Sequence, residues 1–223
     1  MKAQTDHLID TLDRLVYGNT ESKVVTSSAL VRGLPQYTEA GNKQRKDNRN
    51  MDRSSNSNPD EAVVKLTVDF DEQVIQAEAT YLVEISDSHP RKLCLDTSSL
   101  RIQSIQTFDG QPLDYILYPT NASKPHLGQL LEITLPKDVR ESTQRITIVY
   151  CTTKACSALQ WLPPSQTAGK EYPYLFTQCQ AIHARALVPC QDACGVKMTY
   201  TASVTVPQWA TCVMSALLDA VED

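Results

Sequence analysis

The stretch from Phe176 to Asp192, FTQCQAIHARALVPCQD, sets three glutamines, two cysteines, a histidine, an arginine and an aspartate among apolar neighbours. If Leu175 to Gln180 is extended, the two-residue alternation of a strand puts Gln178 and Gln180 on one face and Thr177 and Cys179 on the other. A carboxamide carries one acceptor and two donor hydrogens, so such a pair can hold a peptide backbone or the ammonium of a free amino terminus without a charge of its own. That chemistry binds a substrate; it does not break a bond. Cys179 and His183 are four residues apart, a spacing that on a helix would bring thiol and imidazole together as a nucleophile pair. The strand reading puts Cys179 outside any helix, and no third, orienting group is identifiable. His183 and Arg185 read instead as holding the turn after the strand, with Arg185 paired to a carboxylate such as Asp192. Cys151 and Cys156, then Cys190 and Cys194, have Cys-x4-Cys and Cys-x3-Cys spacings, looser than a zinc ribbon, and buried free thiols are the simpler reading.

The elements that must position this stretch are strands. Val64, Leu66, Val68 and Phe70 alternate with polar residues, and after Asp71-Glu72-Gln73 so do Ile75, Ala77, Ala79, Tyr81, Val83 and Ile85, which predicts a hairpin with one buried face. Further strands are expected at Lys92 to Leu95, Leu100 to Phe108, Leu113 to Leu117, Leu131 to Leu135 and Ile146 to Thr152, with turns at Asp109-Gly110 and Pro136-Lys137-Asp138. Val196, Met198, Tyr200, Ala202, Val204 and Val206 alternate until Pro207 stops the ladder, and Thr211 to Ser215 reads as one more strand. Trp161, beside Pro163 and Pro164, is expected to anchor packing beneath the central stretch. Many short strands at close spacing imply an all-β sandwich or curved sheet.

Upstream, Leu8, Ile9, Leu12, Leu15 and Val16 fall on one face at helical spacing, with Gly18 as a stop, and predict a short amphipathic helix. Its polar face carries Asp10, Asp13 and Arg14 and not a lysine-rich stripe, which argues against a membrane surface. Residues from about Arg32 to Asp60 are poor in large apolar side chains and read as a solvated linker. The division expected is an N-terminal extension over residues 1–60, helical and then disordered, and a β domain over 61–223.

The 223 residues (24.8 kDa) suffice for one domain and a tail. A net charge of -5 and a pI near 5.4 argue against a nucleic-acid-binding surface. No apolar run approaches the ~20 residues that cross a bilayer, and the first residues lack the apolar core of a signal peptide. Seven cysteines, an odd number, fit a reducing compartment. A cytoplasmic location is therefore expected.

Gln160-Trp161-Leu162, Thr167-Ala168-Gly169-Lys170-Glu171, Pro173-Tyr174-Leu175-Phe176 and Gln178-Cys179-Gln180-Ala181-Ile182-His183, through Pro189-Cys190-Gln191-Asp192, closely resemble the amino-terminal domain of the leukotriene A-4 hydrolase and aminopeptidase B family, zinc aminopeptidases of the gluzincin class. The likeness runs more weakly from about Val63 to Ser215. It implies a saddle-like, mostly antiparallel β-sandwich in which Gln178, Cys179 and Gln180 line the substrate cleft, the second glutamine near the substrate's amino-terminal residue. A gluzincin holds zinc through His-Glu-x-x-His. The four histidines here precede Leu8, Pro90, Leu127 and Ala184, so none begins that motif, and the family's Gly-x-Met-Glu-Asn segment is also missing. No catalytic residue, metal ligand or cofactor is therefore assigned to this chain, whose family keeps zinc in a catalytic domain, and no independent peptidase activity is expected. A peptide substrate is expected only together with such a domain. The family continues with more strands where this sequence reaches Asp223, so an incomplete sheet is expected, whose open edge would take a protein partner or a second copy. Cys194-Gly195 departs from the family, which tends to place a proline soon after the aspartate. The alternative is a free-standing interaction module of the same β fold.

Overall fold

The computed structural model describes residues 12–16, 22–29, 59–84, 91–136, 143–193 and 196–222. Its strands are β1 (Leu12–Val16), β2 (Ser22–Ala29), β3 (Pro59–Asp69), β4 (Val74–Glu84), β5 (Lys92–Thr97), β6 (Leu100–Thr107), β7 (Tyr115–Leu117), β8 (Gln129–Thr134), β9 (Thr143–Thr152), β10 (Leu159–Leu162), β11 (Tyr174–Thr177), β12 (Thr199–Pro207), β13 (Thr211–Met214) and β14 (Leu217–Glu222), with a helical turn α1 (Ala184–Leu187). A seven-stranded sheet runs β14-β2-β12-β3-β4-β9-β6, a three-stranded sheet runs β5-β8-β7, and β1-β13 and β10-β11 form two-stranded ribbons. Pairing is antiparallel except between β12 and β3, which run parallel. The chain is thus all-β and mostly antiparallel, as expected.

The alternation in the sequence translates directly into faces. Ala62, Val64, Leu66 and Val68 of β3, Ile75 to Val83 at every second position of β4, Ile146, Ile148 and Tyr150 of β9, and Tyr200 to Val206 at every second position of β12 are all buried. They share one core with Leu93 and Leu95 of β5 and Leu131 and Ile133 of β8, so the three-stranded sheet closes the inner face of the large one. The β3–β4 hairpin turns where the Asp69 carboxylate accepts the backbone N–H groups of Asp71 and Glu72, with Gln73 in the left-handed region at φ 56°. β7 is shorter than expected because Leu113 N–H donates back to Ile105 and Pro112 bridges to Gln106, which holds the segment against β6 before it can join β8.

Two expectations need correction. Leu12, Leu15 and Val16 lie in a strand, β1, that pairs with β13, and not in a helix; Leu8 and Ile9 fall outside the described residues. A helix that short is marginal in water, whereas pairing with β13 satisfies backbone groups on both strands. The sheet also gains β14, which sequence alternation did not indicate and which pairs with β2. The expected linker lies largely outside the described residues, and Cys194-Gly195 lies outside them altogether. Among the described residues no helix is long and apolar enough to cross a membrane.

Candidate functional site

β10 and β11 form an antiparallel ribbon whose register sets Leu159 opposite Thr177, Gln160 opposite Phe176, Trp161 opposite Leu175 and Leu162 opposite Tyr174. Thr177, Leu159 and Leu175 are buried, so the alternate positions face outward: Gln160 and Leu162 on one strand, Tyr174 and Phe176 on the other. The Tyr174 and Phe176 rings are 6.0 Å apart on that face. Trp161, half-buried as expected of a packing anchor, meets Phe70 edge-to-face at 5.4 Å, and Phe70 in turn meets Trp209 at 4.8 Å. Regular strand ends at Thr177, earlier than the sequence suggested, yet Gln178 N–H still donates to Ala158 O at 2.9 Å. The burial alternation continues one step further than the ladder. Gln178 and Gln180 are exposed, while Cys179 is 2% exposed and belongs to the core. Both amides are therefore exposed just beyond the ribbon, and the Cys179 side chain is buried. The Gln180–Ala181 peptide is cis.

What holds this turn is a buried ionic knot. Arg185, in α1, donates from Nε to Asp192 Oδ2 at 3.0 Å and from Nη2 to Asp192 O at 3.0 Å, and Nη1 reaches Leu127 O at 2.6 Å. Asp96 of β5 stands 3.8 Å from Nη1, and its Oδ2 accepts the Asp192 N–H at 3.2 Å. Side-chain exposure is 6% for Arg185, 1% for Asp96 and 0% for Asp192, so the one guanidinium offsets the two carboxylates with little help from water. Backbone bonds tie the same segment to β5: Asp96 N to Cys190 O at 2.7 Å, Cys190 N to Asp96 O at 3.1 Å and Ser98 N to Arg185 O at 2.9 Å. The Tyr81 hydroxyl donates to Pro189 O from the opposite sheet. Gly128 makes the Leu127 contact possible, since it sits at φ 67° and a Cβ there would come within 2.2 Å of Thr97 O. The Arg185–Asp192 pair was legible in the sequence; Asp96 and Leu127, distant along the chain, were not.

His183 does not assemble a cysteine nucleophile. Its Nδ1 pairs with Ser157 Oγ at 2.7 Å, and its backbone N–H donates to Cys179 O at 2.8 Å, so it ties the turn to the start of β10. Six cysteines among the described residues are buried thiols outside any disulfide. Burial, reinforced by the Asp192 and Asp96 carboxylates, pushes the Cys190 thiol well up, and burial likewise raises Cys156, whose Sγ donates to Ala186 O at 3.0 Å. Burial also pushes Tyr81 and Tyr150 well up, with Tyr150 as the next cause for Tyr81 and Cys190 as the next cause for Tyr150. These groups stay protonated and serve as packing. Among the described residues no three of His, Cys, Asp and Glu are grouped to hold a metal ion. Sequence reading missed Gln160 and Ser157 as site residues, because only the β10–β11 register and the bond to His183 bring them to this region; Tyr174 and Phe176, also missed, share a strand and its alternation with Gln178.

Comparison with known proteins agrees with this architecture. Residues 53–217 match the model of the peptidase M1 N-terminal domain. The chain is 41% identical over 157 residues to a leukotriene A-4 hydrolase of Xenopus laevis, covering 70% of this chain and 25% of that protein. It is 38% identical over 175 residues to leucine aminopeptidase 2 of Yarrowia lipolytica, covering 78% of this chain and 26% of that protein. Among solved structures, yeast LTA4 hydrolase in complex with bestatin superposes with a TM-score of 0.61 at 30% identity, over 76% of this chain and 27% of that one. The chain spans about a quarter of the length of the curated relatives it matches. By its fold, its sequence and the extent of the match, the chain belongs to the peptidase M1 N-terminal domain family.

Proposed function

We propose that this chain is the non-catalytic N-terminal domain of a leukotriene A-4 hydrolase-like zinc metalloaminopeptidase, and that Gln178 and Gln180 line one wall of its peptide cleft. The observation that carries the reading is the exposure of both amides on a turn fixed from below by the Arg185–Asp192–Asp96 knot. A pair of neutral amides can receive the amino-terminal residue of a peptide through carbonyl acceptors and N–H donors without a charge of its own. Tyr174 and Phe176 beside them offer apolar surface for a side chain. Cys179 contributes by anchoring the turn in the core. Zinc, and the water it activates, would be carried by the catalytic domain; this domain would orient the substrate. The placement proposed is cytoplasmic.

The purified chain, supplied with zinc and leucyl or alanyl fluorophores, is expected to show no turnover above a mock purification. A chimera in which residues 59–214 replace the matching part of the Yarrowia lipolytica leucine aminopeptidase 2 is expected to cleave the leucyl compound. Turnover by the isolated chain, or a well-folded chimera without activity, would overturn the reading. A second reading, a free-standing interaction module, draws on β14, whose Leu217, Leu218 and Val221 are 78%, 63% and 52% exposed. It predicts an inactive chimera and a stable complex between the isolated chain and a separate protein.

A further inference from the structure

Residues 22–29 lie upstream of the family-matched segment 53–217, yet they form β2 inside the large sheet. β2 pairs antiparallel with β12 along its whole length, from Ser22 opposite Pro207 to Ala29 opposite Tyr200. Its other edge carries β14, with Val25 opposite Val221 and Ser27 opposite Leu218. Val25 and Ser27 are each 3% exposed, Val25 as part of the core and facing Val204 across the ladder, whereas Ser22 is exposed and Lys23, Val24 and Thr26 are half-exposed. Within the family-matched segment, β12 has a sheet partner only on its β3 side. Its other edge would present a row of unpaired N–H and C=O groups, and β14 would lose the strand that joins it to the sheet.

We infer that the free edge of β12 is a strand-acceptor site and that residues 22–29 are its built-in occupant, donated by a segment outside the family domain. The ligand this edge takes is an extended chain run antiparallel to β12, held mainly by backbone hydrogen bonds. Specificity rests on the inward positions, where valine and serine, small enough to sit beside Val204 and Ala202, alternate with half-exposed outward residues. Because the contact is largely a ladder with few buried side chains, another segment of the same pattern can take its place when β2 is weakened.

The test uses the full chain. Val25→Pro removes a backbone donor and a core side chain from the middle of β2 and so unpairs it. A labelled peptide of residues 20–31 is expected to bind Val25→Pro at least tenfold more tightly than wild type. It should fail to bind Thr26→Cys/Ser203→Cys after oxidation, since those half-exposed positions face each other across the ladder. A scrambled peptide should bind neither. Hydrogen exchange supplies the second readout. In the wild type, amides of 22–29 should exchange as slowly as those of 200–206, and in Val25→Pro both sets should speed up and recover when the peptide is added. Equal peptide binding by wild type and Val25→Pro overturns the inference, as does wild-type exchange in the variant. Should Val25→Pro fail to fold, the wild type decides: slow exchange in 22–29 supports the inference, and exchange as fast as an unpaired chain overturns it.

Discussion

Arg185→Met should destabilise the domain by about 3–5 kcal/mol, the cost of removing one member of a buried ion pair. A methionine side chain keeps most of the apolar stem, so packing loss is minor and the electrostatic loss dominates. The change strips Asp192 Oδ2, Asp192 O and Leu127 O of their guanidinium donors and leaves the carboxylates of Asp96 and Asp192 together in a site where neither is more than 1% exposed. Three hydrogen bonds from a charged donor, at about 1.5–3 kcal/mol each, set a ceiling above that figure. The loss falls short of it because the contact to the Leu127 carbonyl is only part-buried and water can reach it. Against the ~5–15 kcal/mol typical of a domain, such a loss leaves little reserve. Urea unfolding followed by circular dichroism should show a midpoint lower by about 2 M with an unchanged slope, taking a slope of about 2 kcal/mol per M. Arg185→Lys should fall between, because one ammonium cannot serve three acceptors in the plane of a guanidinium fork. In a double-mutant cycle, Asp192→Asn should recover about 1 kcal/mol or more of the Arg185→Met loss by removing one of the stranded charges. A loss below about 1 kcal/mol for Arg185→Met, or full additivity with Asp192→Asn, would refute the view that this knot holds the turn.

Two tyrosines of the core should respond oppositely to loss of their hydroxyls. Tyr81→Phe is expected to cost about 1–3 kcal/mol because Pro189 O loses a buried donor. Tyr150→Phe should be neutral or slightly stabilising, since its buried hydroxyl has no hydrogen-bond partner among the described residues; matched urea melts decide both. Alkaline pH should weaken the fold through its buried thiols. Cys212 is pushed up to about 12 by burial, from an ordinary 9.0, so its stabilisation is complete below pH 9 and is lost as pH rises toward 12. At pH 10 the loss through this one thiol is about 1.4 kcal/mol, and Cys212→Ala should make the drop in stability between pH 7.5 and 10 smaller by that amount.

The β3–β4 hairpin and β12 were legible in the sequence because each buries one face, and a one-sided face writes itself as strict alternation. β14 was not, since all six of its residues are exposed and no period distinguishes its faces. β1 misled for a related reason: its pairing with β13 is irregular between Leu12 and Arg14, and the resulting spacing of apolar residues imitates a helical stripe. At the site, Arg185 and Asp192 stood out as opposite charges seven residues apart in an apolar run. Asp96 sits in β5, where five consecutive residues are buried, and its tie to Asp192 spans the chain, so nothing local marks it. The alternation that sent Gln178 and Gln180 outward survived although the strand stopped at Thr177, because Cys179 still reaches the core.

The central claim is that the amides at the Gln178 turn touch the peptide. In the chimera with the Yarrowia lipolytica catalytic part, Gln180→Ala should lower kcat/KM for a leucyl fluorophore about tenfold or more, the loss of one to two hydrogen bonds to a charged amino terminus. The same substitution should shift the urea midpoint of the chain by less than the equivalent of about 0.5 kcal/mol, because Gln180 is exposed. An unchanged kcat/KM in a folded Gln180→Ala chimera would contradict the account.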